Sequence, residues 1–280
     1  MTMSSVLEHS IVESVKQALQ EDVGSGDLTA QLIDENSTTA AAIMAREDAV
    51  LCGSAWVNEV FSQLSADIRL NWKAQDGDKI HAEQIICELS GPSRAILTGE
   101  RAALNFLQTL SATATRTHHY VDAIKGTRAK ILDTRKTIPG LRLAQKYAVK
   151  CGGGENHRMG LFDGILIKEN HIEACGSLEK AIADALSVKK DILVEMEVES
   201  LDQLTRAVNA GVKRILLDNM SLDELRQAVE ITNKKAVLEA SGGVTLENVR
   251  AIAETGVDYI SIGDITKNID AIDLSMRFDY

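Results

Sequence analysis

The chain has 280 residues, 45% of them hydrophobic and 25% charged, with only two prolines, and these values exclude a disordered or low-complexity protein. A formal net charge of −11 argues against a broad nucleic-acid surface, because tracking a phosphate backbone needs Lys and Arg clustered over one face. A small anionic substrate stays open, since a local group of cations makes a positive pocket even inside an acidic protein.

Residues 7–19 place Leu7, Ile11, Val15, Ala18 and Leu19 at three- and four-residue spacing, which predicts an amphipathic helix. The opening segment has no basic stretch followed by an apolar one, and no window approaches ~18 unbroken apolar residues, so secretion and membrane insertion are not expected and a cytoplasmic location is. A polar loop over 22–29 leads to strand-like runs at 40–44 and 85–89, a helix near 56–64, and the turn Asp76-Gly77-Asp78 between 68–72 and Ile80. This half reads as a mixed α+β unit. Cys52, Cys87, Cys151 and Cys175 are scattered without a CxxC pair in a chain too long to need stapling, and are expected to be reduced thiols.

After a helical stretch over 101–118 the pattern changes. Short apolar strands at 130–132, 164–167, 192–196, 214–217, 236–238 and 259–262 alternate with amphipathic helices, and Ser200/Gln203 and Ser221/Glu224 fit capping boxes at two helix starts. Near-continuous apolar strands separated by helices are the mark of parallel βα units buried on both faces. The expected architecture is a β/α barrel, incomplete or irregular, with an open doubly wound sheet as the alternative. Two domains are expected, 1–110 and 111–280, with the C-terminal tail free to return to the first.

The residues that end the strands carry the chemistry. They are Asp133-Thr134-Arg135-Lys136, then Lys168, Glu197, Asp218, Glu239 with Ser241, and Gly263. In β/α barrels the carboxyl ends of the strands hold the active site, so one rim gathers cations, acids and glycine turns. The turns Ser241-Gly242-Gly243 and Ser261-Ile262-Gly263-Asp264 suit a phosphate, because glycine permits close approach and a helix start is positive. No GxxxxGK[ST] motif and no strand-linked GxGxxG is present.

The run Cys151-Gly152-Gly153-Gly154-Glu155-Asn156-His157-Arg158 adds two potential cations to Arg135, Lys136, Lys168 and His171. That is more positive charge than one phosphate needs, and a ligand with several carboxylates and phosphates would account for it. Histidines 118, 119, 157 and 171 lack the short paired spacing of a structural zinc site. Glu197 and Asp218 suit Mg²⁺ held through a substrate pyrophosphate, and an internal salt bridge from Lys168 is the competing use of the same acids.

Seven blocks are more specific: EDVGSGDLTA (21–30), ERAALNFLQTLSATAT (100–115), LDTRKTIPGLR (132–142), GGGENHRMGLFDGILIKENHI (152–172), VEMEVES (194–200), LLDNMS (216–221) and EASGGV (239–244). Together, and over most of the chain, they closely resemble the quinolinate phosphoribosyltransferase family, also called carboxylating nicotinate-nucleotide pyrophosphorylase. The resemblance implies an N-terminal α/β sandwich followed by an irregular β/α barrel, assembled at least as a homodimer. It implies a magnesium-dependent glycosyltransferase of NAD synthesis, which joins quinolinate to phosphoribosyl pyrophosphate and releases carbon dioxide and nicotinate mononucleotide. It further implies that Arg135, Lys136, His157, Arg158 and Lys168 face quinolinate, with Arg101 lent by the neighbouring subunit. Lys168, His171, Glu197, Asp218, Ser241, Gly242, Gly243 and Gly263 would face the phosphoribosyl substrate or its magnesium. Asp264 departs from the family, which often has a small residue there, and sets a negative charge beside the presumed phosphate loop. The rivals are a molybdenum-associated paralogue, an enzyme that uses nicotinate without decarboxylation, and a non-catalytic anion-binding barrel. The Arg135, His157, Arg158 and Lys168 set favours a dicarboxylate, and retention of both Glu197 and Asp218 argues against mere anion binding.

Overall fold

A computed structural model describes residues 3–188 and 192–279. In chain order the elements are α1 (Met3–Val23), β1 (Thr38–Ala45), β2 (Ala49–Val50), α2 (Ser54–Leu64), β3 (Arg69–Trp72), β4 (Lys79–Ile80), β5 (Ile85–Pro92) and α3 (Ser93–Ala123). There follow β6 (Lys130–Leu132), α4 (Arg142–Cys151), β7 (Gly164–Ile167), α5 (Glu169–Cys175), α6 (Leu178–Val188), β8 (Leu193–Val198), α7 (Leu201–Asn209), β9 (Arg214–Asp218), α8 (Leu222–Thr232), β10 (Val237–Ser241), α9 (Val249–Glu254), β11 (Tyr259–Ser261), α10 (Asp264–Lys267) and β12 (Leu274–Asp279). They form two compact units, one from 1–118, 137–153 and 265–280, the other from 119–136 and 154–264. A cut after residue 110 falls inside α3, and α4 and β12 both belong to the first unit.

In the first unit an antiparallel sheet runs in the order β12-β1-β5-β3. Strand β1 alternates, turning Ala41, Ile43 and Ala45 inward, as a strand with one covered face must. The chain end pairs on its other edge, with Ala42 opposite Arg277. Ile11 and Val15 of α1, Trp56, Val60 and Phe61 of α2, and Leu104, Leu107 and Leu110 of α3 complete one apolar core with this sheet, which makes the unit an α/β sandwich. The predicted helices over 7–19 and 56–64 are present, each slightly longer.

In the second unit six parallel strands run in the order β6-β11-β10-β9-β8-β7. This order decides between the two expected architectures. Strands β7 to β11 are sequential neighbours, and the first strand of the set, β6, pairs with the last, β11, as barrel closure requires. A doubly wound sheet would instead reverse order at a switch point. Among the described residues no ladder joins β6 to β7, so the barrel is open there. Glu155 occupies that seam through a single parallel bridge to Leu132. Both predicted helix starts are capped: Ser200 Oγ accepts the Gln203 N–H, and Ser221 and Glu224 exchange a reciprocal pair of bonds. Only the second is a full box, because Gln203 Oε1 takes the N–H of Glu199.

Three strands run further than predicted. Strand β8 ends at Val198, β9 at Asp218 and β10 at Ser241. The predicted strands end just before Glu197, Asp218 and Glu239, because a charge at a strand end is ordinarily its first solvated position. Glu197, Asp218, Glu239 and Ser241 are therefore strand residues, and Glu239 lies buried below the rim where the prediction set it.

Candidate active site

Successive residues of a strand alternate between its two faces, so Glu195 and Glu197 of β8 share a side, as do Arg214 and Asp218 of β9, and Glu239 and Ser241 of β10. The pairing register stacks these into two levels. In the lower, Glu195 is opposite Arg214, and Glu239 opposite Tyr259. In the upper, Ser241 is opposite Asp218.

The lower level is a closed ionic network. Arg214 donates from Nε to Glu195 Oε1 at 3.0 Å and from Nη2 to Glu239 Oε2 at 2.6 Å, and its guanidinium lies 4.7 Å from the centroid of the Tyr259 ring. His157 Nε2 approaches Glu195 Oε2 at 2.8 Å and Glu239 Oε2 at 3.5 Å. The side chains are 1% exposed for Glu195, 0% for Glu239 and 9% for His157. Glu195 Oε2 and Glu239 Oε1 have no well-aligned hydrogen-bond donor, so the approach of His157 Nε2 to Glu195 is a close contact rather than a linear bond. Burial opposes ionisation of Glu195, yet His157 and Arg214 outweigh it and hold the carboxyl below its usual range. Glu239 is pushed up, by burial first and then by the charge of Glu195. His157 and Arg214 thus favour ionisation of Glu195, while ionisation of Glu239 is disfavoured.

His157 reaches this network from the 154–163 segment, which Asp133 secures. Asp133, fully buried just after β6, accepts from the backbone N–H of His157 at 2.9 Å and from Asn156 Nδ2 at 2.6 Å. His157 Nδ1 in turn accepts the Arg158 N–H at 2.7 Å, so both ring nitrogens are engaged within the protein. Arg158 donates from Nη1 to the Gly164 carbonyl at 2.9 Å. Burial and then nearby Arg135 lower its guanidinium pKa, which sets these two predicted cations within electrostatic reach of each other.

The upper level opens to solvent. Lys168, directly after β7, places Nζ 2.5 Å from Glu197 Oε2, with the lysine side chain 47% exposed. The salt bridge that the sequence allowed as the rival use of Glu197 is therefore present. Asp218 sits beside it and accepts from Asn219 Nδ2 at 2.9 Å. Its carboxyl is pushed up by burial and then by Glu197, with Lys168 and Lys136 pulling the other way. Carboxylate oxygens of Glu197, Glu199 and Asp218 all lie within 4.8 Å of one another. Three carboxylates thus share the charge of Lys168, and oxygen donors of this kind fit a hard divalent cation. His171, one turn into α5, spends Nδ1 on the Lys168 N–H at 3.0 Å.

The two glycine turns flank this mouth. Gly242 has φ +95°, and a Cβ there would collide with the side chain and backbone of Asn219, so only glycine lets β10 turn past β9. Gly243, at φ +58°, has open space around its Cα, which leaves its backbone approachable. Gly263 lies under the Lys136 side chain, where a Cβ would fall 2.7 Å from Lys136 Cδ. Asp264 lies 3.4 Å from the Tyr120 hydroxyl, which donates to its Oδ2.

The second unit thus brings together Arg135, Lys136, His157, Arg158, Lys168, His171, Glu197, Asp218, Ser241, Gly242, Gly243 and Gly263 around one end of its strands. Arg101 is an exposed residue of α3 in the first unit. Sequence reasoning missed Glu195, Glu199 and Arg214. The alternation Glu195, Glu197, Glu199 was the available signal for the acids, and Arg214 was passed over as the first residue of a strand. A cavity of about 680 Å³ opens at the amino ends of β9 and β10, against Lys213, Val237 and Asp258, and contains none of these residues.

Two family profiles match, described as quinolinate phosphoribosyl transferase, N-terminal domain, over residues 27–111, and C-terminal domain, over residues 113–277. A Bacillus subtilis (strain 168) protein named as a probable carboxylating nicotinate-nucleotide pyrophosphorylase is 44% identical across 91% of this chain and 89% of its own. A chloroplastic carboxylating nicotinate-nucleotide pyrophosphorylase of Arabidopsis thaliana is 38% identical across 95% of this chain and 82% of its own. Among solved structures, the nicotinate-nucleotide pyrophosphorylase of Francisella tularensis superposes with a TM-score of 0.93 at 47% identity, covering 97% of each chain.

Proposed function

The chain belongs to the quinolinate phosphoribosyl transferase family, and from that premise we propose that it runs the decarboxylating phosphoribosyl transfer at the strand ends of its second unit. The reaction joins quinolinate to phosphoribosyl pyrophosphate and yields nicotinate mononucleotide, pyrophosphate and carbon dioxide. The observation that carries the site assignment is the two-level arrangement, in which a cation group at the mouth stands over a floor of buried, paired charge.

Two polyanions must meet at this mouth, so the first task of the protein is to cancel repulsion. Arg135 and Arg158, already within electrostatic reach of each other, suit the two carboxylates of quinolinate, because guanidinium pairs with carboxylate in a planar fork. Lys136 at the Gly263 turn and the backbone of 241–243 suit the phosphates. Lys168 lies between, with its charge shared with Glu197 until the substrates arrive. His157 and its buried partners hold the 154–163 segment, and hence Arg158, in place.

The pyridine nitrogen then forms a bond to the anomeric carbon as the carbon–oxygen bond to pyrophosphate breaks. Positive charge on the ribosyl ring is countered by the Glu197 and Asp218 carboxylates, and charge on the departing group by the lysines. The ring nitrogen is now a pyridinium. The bond from ring carbon 2 to its carboxylate breaks, leaving its electron pair on that carbon beside the positive nitrogen, and a proton from solvent replaces carbon dioxide. No protein nucleophile is needed. Mg²⁺ would be held by Glu197 and Asp218, directly or through water, with Glu199 beside them, and would screen the pyrophosphate charge.

We further propose a homodimer in which Arg101 serves the partner's site, and a cytoplasmic location, in keeping with four free cysteines and with no described helix long and apolar enough to cross a membrane. The direct test supplies ring-labelled quinolinate, phosphoribosyl pyrophosphate and Mg²⁺. Labelled nicotinate mononucleotide with equimolar carbon dioxide is the expected outcome. Product from nicotinate at a comparable rate would overturn the dicarboxylate assignment.

A further inference from the structure

The first unit holds a group of reactive side chains that the transfer reaction does not use. The Sγ atoms of Cys52 and Cys151 and a carboxylate oxygen of Asp76 all lie within 4.8 Å of one another, although the two cysteines are far apart in the chain. Cys52 is fully buried in the turn before α2, whereas Cys151, the last residue of α4, is partly open to solvent. The thiols are within hydrogen-bonding reach of each other. Cys87 and Cys175 belong to no such group among the described residues.

Two uses compete for this cluster. A soft metal would need Asp76 as its third ligand, but that carboxylate is already engaged. Its oxygens accept from the backbone N–H of Gly53 at 3.2 Å, from that of Ser54 at 3.1 Å, and from the Tyr147 hydroxyl at 2.9 Å. Asp76 therefore serves the start of α2, and the two sulfurs face each other, with Tyr147 also beside Cys151. We propose that Cys52 and Cys151 form an oxidation site, closed to an intrachain disulfide by a peroxide, and that closure slows the enzyme by pulling on the glycine run that leads to His157 and Arg158.

The chemistry divides between the two thiols. The Cys52 S–H donated to it holds Cys151 below the ordinary thiol range, whereas burial, followed by its contact with Cys151, pushes Cys52 well above it. Cys151 is thus both the more accessible sulfur and the better thiolate. Its thiolate attacks one peroxide oxygen, the O–O bond breaks, and hydroxide leaves, taking up a proton to become water. Cys52 sulfur then attacks the resulting sulfenic sulfur. The S–O bond breaks, and the hydroxide leaves with the Cys52 proton as a second water. Two thiols have lost two electrons to one peroxide.

Bond formation brings the sulfurs to about 2.05 Å, so one side must move. Cys52 is fixed at both backbone groups, its N–H donating to Ser111 Oγ at 2.9 Å and its carbonyl accepting from the same hydroxyl at 3.1 Å. Gly152 cannot yield toward α3, because a Cβ there would already collide with the Ala114 carbonyl and Thr117. The first exposed position beyond it is Gly153, which has φ +87° and whose N–H closes the end of α4 on the Lys150 carbonyl. The chain passes from the first unit to the second between Gly153 and Gly154, three residues before His157. The second half of the proposal therefore rests on the function given above, while disulfide formation does not.

The test treats the intact enzyme with hydrogen peroxide, maps peptides under non-reducing conditions, and measures kcat/KM for quinolinate before and after adding dithiothreitol. The expected result is a Cys52–Cys151 linked peptide, a fall in kcat/KM of about tenfold or more, consistent with a displaced binding group, and recovery on reduction. Cys151→Ser should show neither linkage nor reversible loss, and Cys52→Ala repeats the test should the first variant fold poorly. Separate sulfinic acids without linkage, or zinc retained through desalting at one ion per chain, would overturn the site. A linked chain with unchanged kcat/KM would overturn the coupling to the loop. An untreated enzyme that ignores quinolinate yet forms the link would refute the assigned function and leave the oxidation site standing.

Discussion

Replacing Arg214 by Met keeps most of the side-chain volume and removes the guanidinium that pairs with both Glu195 and Glu239 in the buried floor of the barrel. The change breaks the contacts to Glu195 at 3.0 Å and to Glu239 at 2.6 Å and the stacking on Tyr259 at 4.7 Å. Leaving buried carboxylates with one partner fewer, together with the lost cation–π contact, costs about 4 kcal/mol at neutral pH. At ~2–4 °C per kcal/mol for a chain of this size, that lowers the melting temperature by roughly 10 °C. The pH dependence has a definite sign. Glu239 is already raised by burial and Glu195, and losing Arg214 raises it further. A group with a raised folded pKa stabilises the fold below its unfolded value, and that stability is lost as pH rises through the folded value. The penalty should therefore be larger at about pH 8 than at about pH 5. Urea melts of parent and variant at both pH values measure it. Adding Glu195→Gln and Glu239→Gln to Arg214→Met should restore more than half of the lost stability, because neutral amides need no counter-charge. A penalty below about 1 kcal/mol near pH 8, or one equal at the two pH values, would refute the account of the floor.

Nicotinate should be a poor substrate, since a site that pairs two carboxylates leaves a cation unmatched when one is absent; kcat/KM at least ~10³-fold below that for quinolinate is expected, and comparable values would reject the pairing. Lys168→Ala should lose about 10²–10³-fold in kcat, while its exposed ion pair to Glu197 contributes less than about 1 kcal/mol to folding, so an unchanged melt with near-parental turnover would make Lys168 a bystander. Arg101→Ala and Glu197→Ala should each be nearly inactive alone. Co-expressed in equal amounts they should recover about a quarter of parental activity, because half of the dimers are mixed and each mixed dimer has one intact site; purified mixed dimers without activity would place Arg101 outside the partner's site.

The six strands of the barrel were visible in the sequence because a strand buried on both faces must be apolar almost throughout, and such runs stand out between amphipathic helices. The cations and acids of the mouth were legible for the same reason, being the first charges after each apolar run. What the sequence misplaced follows from the same rule. It ended β8, β9 and β10 before Glu197, Asp218 and Glu239, which lie inside the strands, and it kept Glu195 and Arg214 within the predicted strands without giving them partners, although buried charges there are tolerable because Arg214 faces both Glu195 and Glu239. Periodicity reports the polarity of a face and not the partner across it. The pairing of β6 with β11 that makes the sheet a barrel, the return of β12 to β1, and the meeting of Cys52 with Cys151 all join residues distant along the chain. Those contacts were decided by tertiary packing, since no local signal in a sequence records which remote segment will cover it.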